Sequence, residues 1–430
     1  EPFFQDLHDL ETARREEPVY ILHLGDSHTA GGWFSGRLRL RFQQRFGSSG
    51  RGMMPPGEPF PWYFPFQVKV WQSPGWEVAN SFRVRTPGLF GVTGFRTASA
   101  RAGAVMRLEC EEAQGFDLAE VEVAAGPEGG TLRISVDGRL VREVSTRSET
   151  VRARRISLET QPGSRRLELT PAGDGPVELL AWTIQRRGPG LVYDSHGIVG
   201  ATINIIGRWS PEVVRWELEH RPPSLIVLEY GGNEGFHDDL ETEAYAKAFR
   251  MRLAFLKKAA PKASFLIIGP ADGARLPGYC LATVEEIDPA LAADQDRPST
   301  EARKALRAGK GQAKDAVFDC LPLTREEIES YDRLLGAEDP VLCRWHQPPK
   351  LGVVREVQRA VAQAEGYPFW DWSTLMPGEC GIHAWTEADP PLAAKDHVHL
   401  QKKGYVLSAD TLFDLLMEYY DMYRRAARGK

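Results

Sequence analysis

The chain has 430 residues, more than one ordinary core organises, so two domains or one domain with large insertions are expected. It is 42% hydrophobic and 26% charged, the balance of a globular protein, and its 53 basic against 59 acidic residues give a net charge of −6, which argues against nucleic acid as a partner. No apolar run approaches the roughly 18 residues of a membrane-spanning helix, and no signal peptide is visible; a chain that opens on Glu1 is expected to be a trimmed or mature product.

Residues 1–18 are charged and predicted helical, a lead-in to the apolar run Val19-Tyr20-Ile21-Leu22-His23-Leu24. Gly25-Asp26-Ser27-His28-Thr29-Ala30-Gly31 follows, and then the amphipathic segment Trp33–Phe46. The pattern is a buried strand, a tight turn and a helix. A serine in such a turn sits where helix N–H groups are unpaired and point outward, a good place to stabilise an oxyanion. Ser27 also fits the plainer role of an N-cap. The glycines and prolines of residues 47–57 break the helix and predict a loop.

From Phe60 an aromatic, proline-punctuated stretch leads into short alternating runs at 104–109, 120–123, 131–136, 139–141, 154–158, 166–169 and 177–182, with Asp137-Gly138 as a hairpin turn. Runs at this spacing without helical pattern predict an inserted β-sandwich of about 120 residues, a usual domain size. Its aromatics suit a platform for sugar rings, or sandwich core.

The α/β pattern resumes near Leu191. Tyr193–Thr202 reads as a glycine-bearing loop, and Leu225–Tyr230 as a central parallel strand delivering Gly231-Gly232-Asn233-Glu234. A helix over 240–259 and the strand Ser264–Gly269 complete a β-α-β unit with the right-handed crossover expected. Residues 272–344 are polar and charged, with helical patches such as 325–328, and read as a second insertion near the carboxyl end of a strand, where loops shape substrate access. A helix over 350–364, a strand over 367–371, the Asp396–His399 loop and a final helix over 406–425 close the chain.

Of the five cysteines, Cys110, Cys280, Cys320, Cys343 and Cys380, four lie between 280 and 380. The absence of C-x-x-C argues against structural zinc. The cluster suits one or two disulfides in an oxidising compartment, and the spacing leaves the pairing open.

In Asp396-His397-Val398-His399, an acid three residues before a histidine can hold one ring nitrogen and leave the other for a serine proton. His399 has that spacing from Asp396; His397 competes for the base role. His28 reads as a local hydrogen-bond partner, and His23 and His196 as structural. The loops after parallel strands converge at the carboxyl edge of a sheet, so Ser27, Gly200, Asn233, Asp396 and His399 are expected in one cleft.

This ordered set resembles the SGNH (GDSL-type) hydrolases, whose blocks are matched by Gly25-Asp26-Ser27, Gly200, Gly231-x-Asn233 and Asp396-x-x-His399. The resemblance implies a three-layer α/β/α sandwich with a mostly parallel, flavodoxin-like sheet, divided as residues 1–58 and 187–430, with the β-sandwich inserted at 59–186. It implies Ser27 as nucleophile, His399 as base, Asp396 as its orienting acid, and an oxyanion hole from the Ser27 and Gly200 N–H groups and the Asn233 amide. One such donor is worth roughly 3–4 kcal/mol in a transition state. No metal or organic cofactor is implied. The GDSH block, the 50–56 loop, the inserted sandwich and Gly231-Gly232-Asn233-Glu234 are further similar to the bacterial peptidoglycan O-acetylesterases, with Glu234 where the wider family commonly has Asp. That implies an extracytoplasmic, periplasmic enzyme acting on an O-acetylated glycan, peptidoglycan in the first place.

Other classes fit less of the chain. Asp26-x-His28 and Gly232-Asn233-Glu234 resemble metallophosphoesterase motifs, but the usual intervening GDxxD is missing. No G-x-S-x-G follows a central strand, against an α/β-hydrolase. A polysaccharide-binding protein without catalysis would not need the full set of polar residues. An O-acyltransferase would use the same serine ester and stays open beside the esterase, as does another acetylated glycan such as xylan.

Overall fold

The computed structural model describes residues 2–84, 88–280 and 319–428. Its organising sheet has five parallel strands, β1 (Val19–Gly25), β2 (Leu191–Gly197), β3 (Leu225–Glu229), β4 (Ser264–Gly269) and β5 (Phe369–Asp371), in the order β2-β1-β3-β4-β5. Every residue of β3 is buried, as a central strand covered on both faces requires.

The covering helices are α1 (Pro2–Glu11), α2 (Trp33–Phe46), α3 (Pro211–His220), α4 (Thr242–Ala259), α5 (Pro349–Glu365) and α6 (Lys402–Arg428). Alternation along the strands sorts the two cores. Val19, Ile21, Val227 and Ile268 meet Phe34 and Phe42 of α2 and Leu412 and Phe413 of α6. Leu22, Leu24, Ile226 and Leu228 face the other way, onto Val214 of α3, Phe249 and Leu253 of α4, and Val354 and Val361 of α5. The fold is thus the expected α/β/α sandwich. Its strand order reverses between β1 and β3, and the crevice at their carboxyl ends is where such sheets hold ligands.

Between α2 and β2 the chain builds a β-sandwich. One sheet orders Arg152–Ser164, Phe116–Ala125, Val177–Gln185, Phe95–Ser99 and Glu77–Asn80; the other orders Val68–Gln72, Met106–Cys110, Arg166–Pro171, Thr131–Val136 and Arg139–Ser145. The core between them includes Trp182, Phe116, Leu132 and Leu169. Asp137 and Gly138, at φ 50° and 78°, make the expected hairpin turn. The sandwich is seated on α3: Glu217 accepts from Val92 N–H at 2.8 Å, and the Arg155 guanidinium lies 4.0 Å over the Trp216 ring.

Three features differ from the sequence expectations. Gly52–Met54, expected in a loop, is a strand paired with Trp182–Ile184; three residues are too few to show a period. Tyr193–Gly197, also expected in a loop, completes β2. Its polar side chains hide the strand from hydropathy, and two of them are held by tertiary partners. Asp194 accepts from Met53 N–H at 2.7 Å, and Ser195 Oγ and the Tyr193 carbonyl both accept from Arg39. The strands Val68–Gln72, Glu77–Asn80 and Phe95–Ser99 lie within the aromatic stretch, where prolines and tryptophans mask the alternation.

In the second insertion, helices Arg325–Glu329 and Tyr331–Gly336 lie among the described residues, and 281–318 fall outside them. Two disulfides, Cys280–Cys343 and Cys320–Cys380, settle the pairing, and Cys110 is a buried free thiol.

One glycine sets how closely the Ser27 turn approaches the sheet. A Cβ on Gly197 would lie 2.1 Å from Ala30 N and 2.6 Å from Asp26 O, both backbone atoms. Gly197→Ala is expected to cost about 1–3 kcal/mol, read as a lower urea midpoint; an unchanged midpoint would mean the turn has room to move.

Candidate active site

The Ser27 turn leaves β1 at the switch point. Asp26, not Ser27, caps the short helix Ser27–Ala30: its carboxylate accepts from His28 N–H at 3.0 Å. The cap being filled, the Ser27 hydroxyl is available, and it lies 2.9 Å from His399 Nε2. His399 Nδ1 is 2.7 Å from Asp396 Oδ2, while Asp396 Oδ1 accepts from the Val398 and His399 N–H groups at 3.0 and 2.9 Å. A carboxylate can only accept, so Nδ1 carries the proton and Nε2 accepts from the serine.

The electrostatics support that tautomer. Burial works to raise the Asp396 carboxyl, but the His399 ring and the two backbone donors hold it at about 2. The same hydrogen bond to Asp396 raises His399 above the usual 6.5, against its own partial burial. Both side chains remain 42–45% exposed, so substrate can reach them.

Asn233 stands after β3, beyond Gly231, whose φ of +121° and tight contacts with Gln358 and Val354 require a glycine. Asn233 Nδ2 donates to the Ala201 carbonyl at 2.9 Å and approaches Asp26 Oδ2 at 3.3 Å. The amide therefore lies between the residue before Ser27 and the residue after Gly200. Gly200 takes φ +79°, which aims its loop. Glu234 Oε1 accepts from Ile203 N–H at 2.8 Å, so two successive residues clamp the Gly200 loop. The five expected residues thus gather at one edge: Ser27, His399 and Asp396 in a single hydrogen-bonded line, Asn233 and the Gly200 loop beside it.

The other histidines separate clearly. His28 Nδ1 meets Tyr405 OH at 2.9 Å, and its ring packs edge-on against Trp372 and 5.4 Å from the His399 ring. Burial, then the nearby His399, lowers it to about 3, so it backs the His399 ring as a neutral group. His397 takes φ +56° and turns from Ser27; it stacks on Trp345 at 3.7 Å and meets His383 Nδ1 at 2.9 Å.

Sequence reasoning missed the layer beneath the site. Thr29 Oγ1 donates to Glu229 Oε2 at 2.8 Å and lies 3.1 Å from His23 Nε2, whose Nδ1 meets Tyr193 OH at 2.9 Å. Burial pushes the Asp26 carboxyl to about 6 and Glu234 to about 7, and burial plus the Asp26 charge pushes Glu229 well above its usual range. The signal was present in Glu229, an acid ending an otherwise apolar strand. Among the described residues, no group of three or more His, Cys, Asp or Glu side chains is arranged to hold a metal ion.

The second insertion buttresses the His399 loop. Ala274 N–H donates to the His397 carbonyl at 2.8 Å, Trp345 lies under His397, and the Cys320–Cys380 bridge leads into the helix Gly381–Glu387. Trp385 of that helix accepts Leu392 and Ala393 N–H at 2.8 and 3.1 Å. Histidine NMR titration is expected to find His399 protonating above 6.5, His397 near 4, and His28 and His23 still neutral at pH 5. In Asp396→Asn the His399 midpoint should fall; an unmoved midpoint would break the electrostatic account.

No family model matches the chain, and no curated protein matches it by sequence. Solved structures do match. A peptidoglycan O-acetylesterase aligns over 98% of this chain and 96% of its own, with a TM-score of 0.70 at 22% identity. A family two carbohydrate esterase from Clostridium thermocellum aligns over 80% and 98% with a TM-score of 0.30 at 11% identity. An acetyl xylan esterase aligns over 52% and 80% with a TM-score of 0.28 at 13% identity. The chain shares, over nearly its whole length, the fold of the peptidoglycan O-acetylesterase.

Proposed function

We propose that this protein is a serine esterase that removes O-acetyl groups from a cell-envelope glycan, peptidoglycan in the first place. The observation that carries the reading is the line Asp396–His399–Ser27, with contacts of 2.7 and 2.9 Å at the switch point of the sheet. Ser27 Oγ attacks the acetyl carbonyl as its proton passes to His399 Nε2; Asp396 keeps the ring oriented and stabilises the imidazolium. The Ser27 and Gly200 N–H groups receive the negative oxygen, together with the Asn233 amide once it releases its longer, 3.3 Å contact with Asp26 Oδ2. The proton on His399 then goes to the departing sugar hydroxyl, leaving acetyl-Ser27. Water, deprotonated by His399, releases acetate and restores the serine.

The glycan assignment is supported by the shared fold with a peptidoglycan O-acetylesterase and by the sandwich inserted beside the site. An extracytoplasmic location is supported by the two disulfides, which persist in oxidising compartments.

The test is acetate release from O-acetylated peptidoglycan and from acetylated xylan. Ser27→Ala is expected to lower kcat by about 10⁴-fold or more, and Asn233→Ala by about 10²–10³-fold. Because His399 accepts a proton only when neutral, the rate should rise with pH through a midpoint above the usual 6.5 and fall away below it. Asp396→Asn should move that limb to lower pH. Release from xylan alone would discard peptidoglycan as the substrate. A small acetyl ester still cleaved by Ser27→Ala would discard the mechanism.

A further inference from the structure

A second feature of the surface starts where the Ser27 turn ends. Gly31 and Trp33 form one wall of an open groove of about 1030 Å³, which runs past the 60–66 loop onto the outer face of the sandwich. Trp62, Phe64 and Trp71 stand in it 59%, 76% and 47% exposed. Large rings left in water in one groove, rather than scattered singly, mark a binding surface.

The wall at Trp33 and the ring of Trp71 are held from behind. Phe66 packs edge-on against Trp33 with centroids 5.0 Å apart, in a space that only a glycine at 36 leaves open. Lys402, three residues beyond His399, lies 4.6 Å over the other part of the wall, the Trp33 ring. On the sheet face, the Arg107 guanidinium sits 5.5 Å from the Trp71 ring and is fixed by Glu168 at 2.8 Å. The Trp33 wall and the Trp71 ring are therefore in place before a ligand arrives.

Four of its charged side chains are paired locally, and Glu58 and Lys402 add one charge of each sign. Lys69 pairs with Glu111 at 2.9 Å, Arg107 with Glu168, and Glu109 with Arg166 at 3.3 Å. Such a surface offers hydrogen-bonding edges around apolar rings without a field of one sign. A nucleic acid or an acidic peptide would find no matching charge. Sugar rings fit both parts, with C–H faces for the aromatics and hydroxyl edges for the paired polar groups. The volume lies at the upper end for a small-ligand pocket, room for several sugar units rather than one.

We infer that this groove binds the backbone of the polysaccharide strand whose ester is cleaved at Ser27, holding sugar units several positions away from the reacting one. The inference rests on the esterase reading for its function, and its binding test is independent of catalysis. Because the groove is reached through Gly31 and Trp33, one continuous strand occupies it and the serine site together. It then lowers the concentration of polymer needed and leaves the chemistry of a small ester untouched.

The experiment measures co-sedimentation of the full chain with peptidoglycan sacculi stripped of O-acetyl groups by mild alkali, and with insoluble xylan. Wild type and Ser27→Ala are expected to sediment alike with at least one of the two. Trp62→Ala and Trp71→Ala should each weaken that binding about fivefold or more, and raise KM for the acetylated polymer without changing kcat/KM for a small acetyl ester. Both residues are exposed, so the melting temperature should hold and report intact folding. Binding unchanged in both variants, or no binding to either glycan, would overturn the inference. So would a concentration-dependent dimer in wild type that the same substitutions abolish, since the face would then be a contact between copies. Glycan binding with no acetate release would sink the esterase reading and leave the groove standing.

Discussion

Ser27 and His399 are 372 residues apart and must meet within hydrogen-bond distance, so the arrangement depends on how α2 is fixed against α6. These are the helices that follow the serine and the histidine. Arg37 reaches Asp410 through two hydrogen bonds at 2.8 and 2.9 Å, and Arg41 pairs with both Asp410 and Asp414. Beneath these partly exposed ion pairs, Phe34 stacks on Trp372 at 4.5 Å, and Trp372 donates to Ser408 at 2.8 Å. The buried ring contact and hydrogen bond fix the register, and the ion pairs at the rim add modestly to it. Shifting either helix by one turn would carry Ser27 or His399 about 5.4 Å away.

A second constraint is electrostatic. Asp26, Glu229 and Glu234 are three carboxyls buried behind the serine, and burial disfavours their charged forms. Asp396, the acid that must stay charged, is instead half-exposed and holds three hydrogen bonds. The site thus separates buried acids, whose charged forms burial disfavours, from the one whose charge is held by hydrogen bonds. Environment makes the division, since all four are ordinary carboxylic acids.

Most of the site was legible in the sequence because it sits in short blocks at the ends of strongly apolar strands. Val19–Gly25 and Leu225–Glu229 announce themselves by hydropathy, and Ser27 and Asn233 follow directly. The three-residue spacing of Asp396 and His399 is likewise local. What could not be read is what tertiary partners decide. Tyr193–Gly197 looked like a loop because Asp194, Ser195 and His196 are polar, and the partners of the first two, Met53 and Arg39, lie far away in sequence. The supporting role of the second insertion was invisible for the same reason: the Trp345–His397 stack and the disulfide pairing join residues with no shared local pattern.

The way the sandwich is attached has a mechanical consequence. A module on one flexible linker samples a volume, and its contribution to affinity depends on linker length. Here the chain enters through Gly52–Met54 and leaves through Val177–Gln185, and those two crossings are hydrogen-bonded to each other as neighbouring strands. Arg186 N–H donates to the Ser49 carbonyl at 2.9 Å just beyond them. The two crossings form a stiff bracket rather than a hinge. The vector from the serine to any point on the sandwich face is then fixed, and on the proposed function the molecule would work as a ruler along a polymer, favouring esters at a set distance from whatever the far end grips.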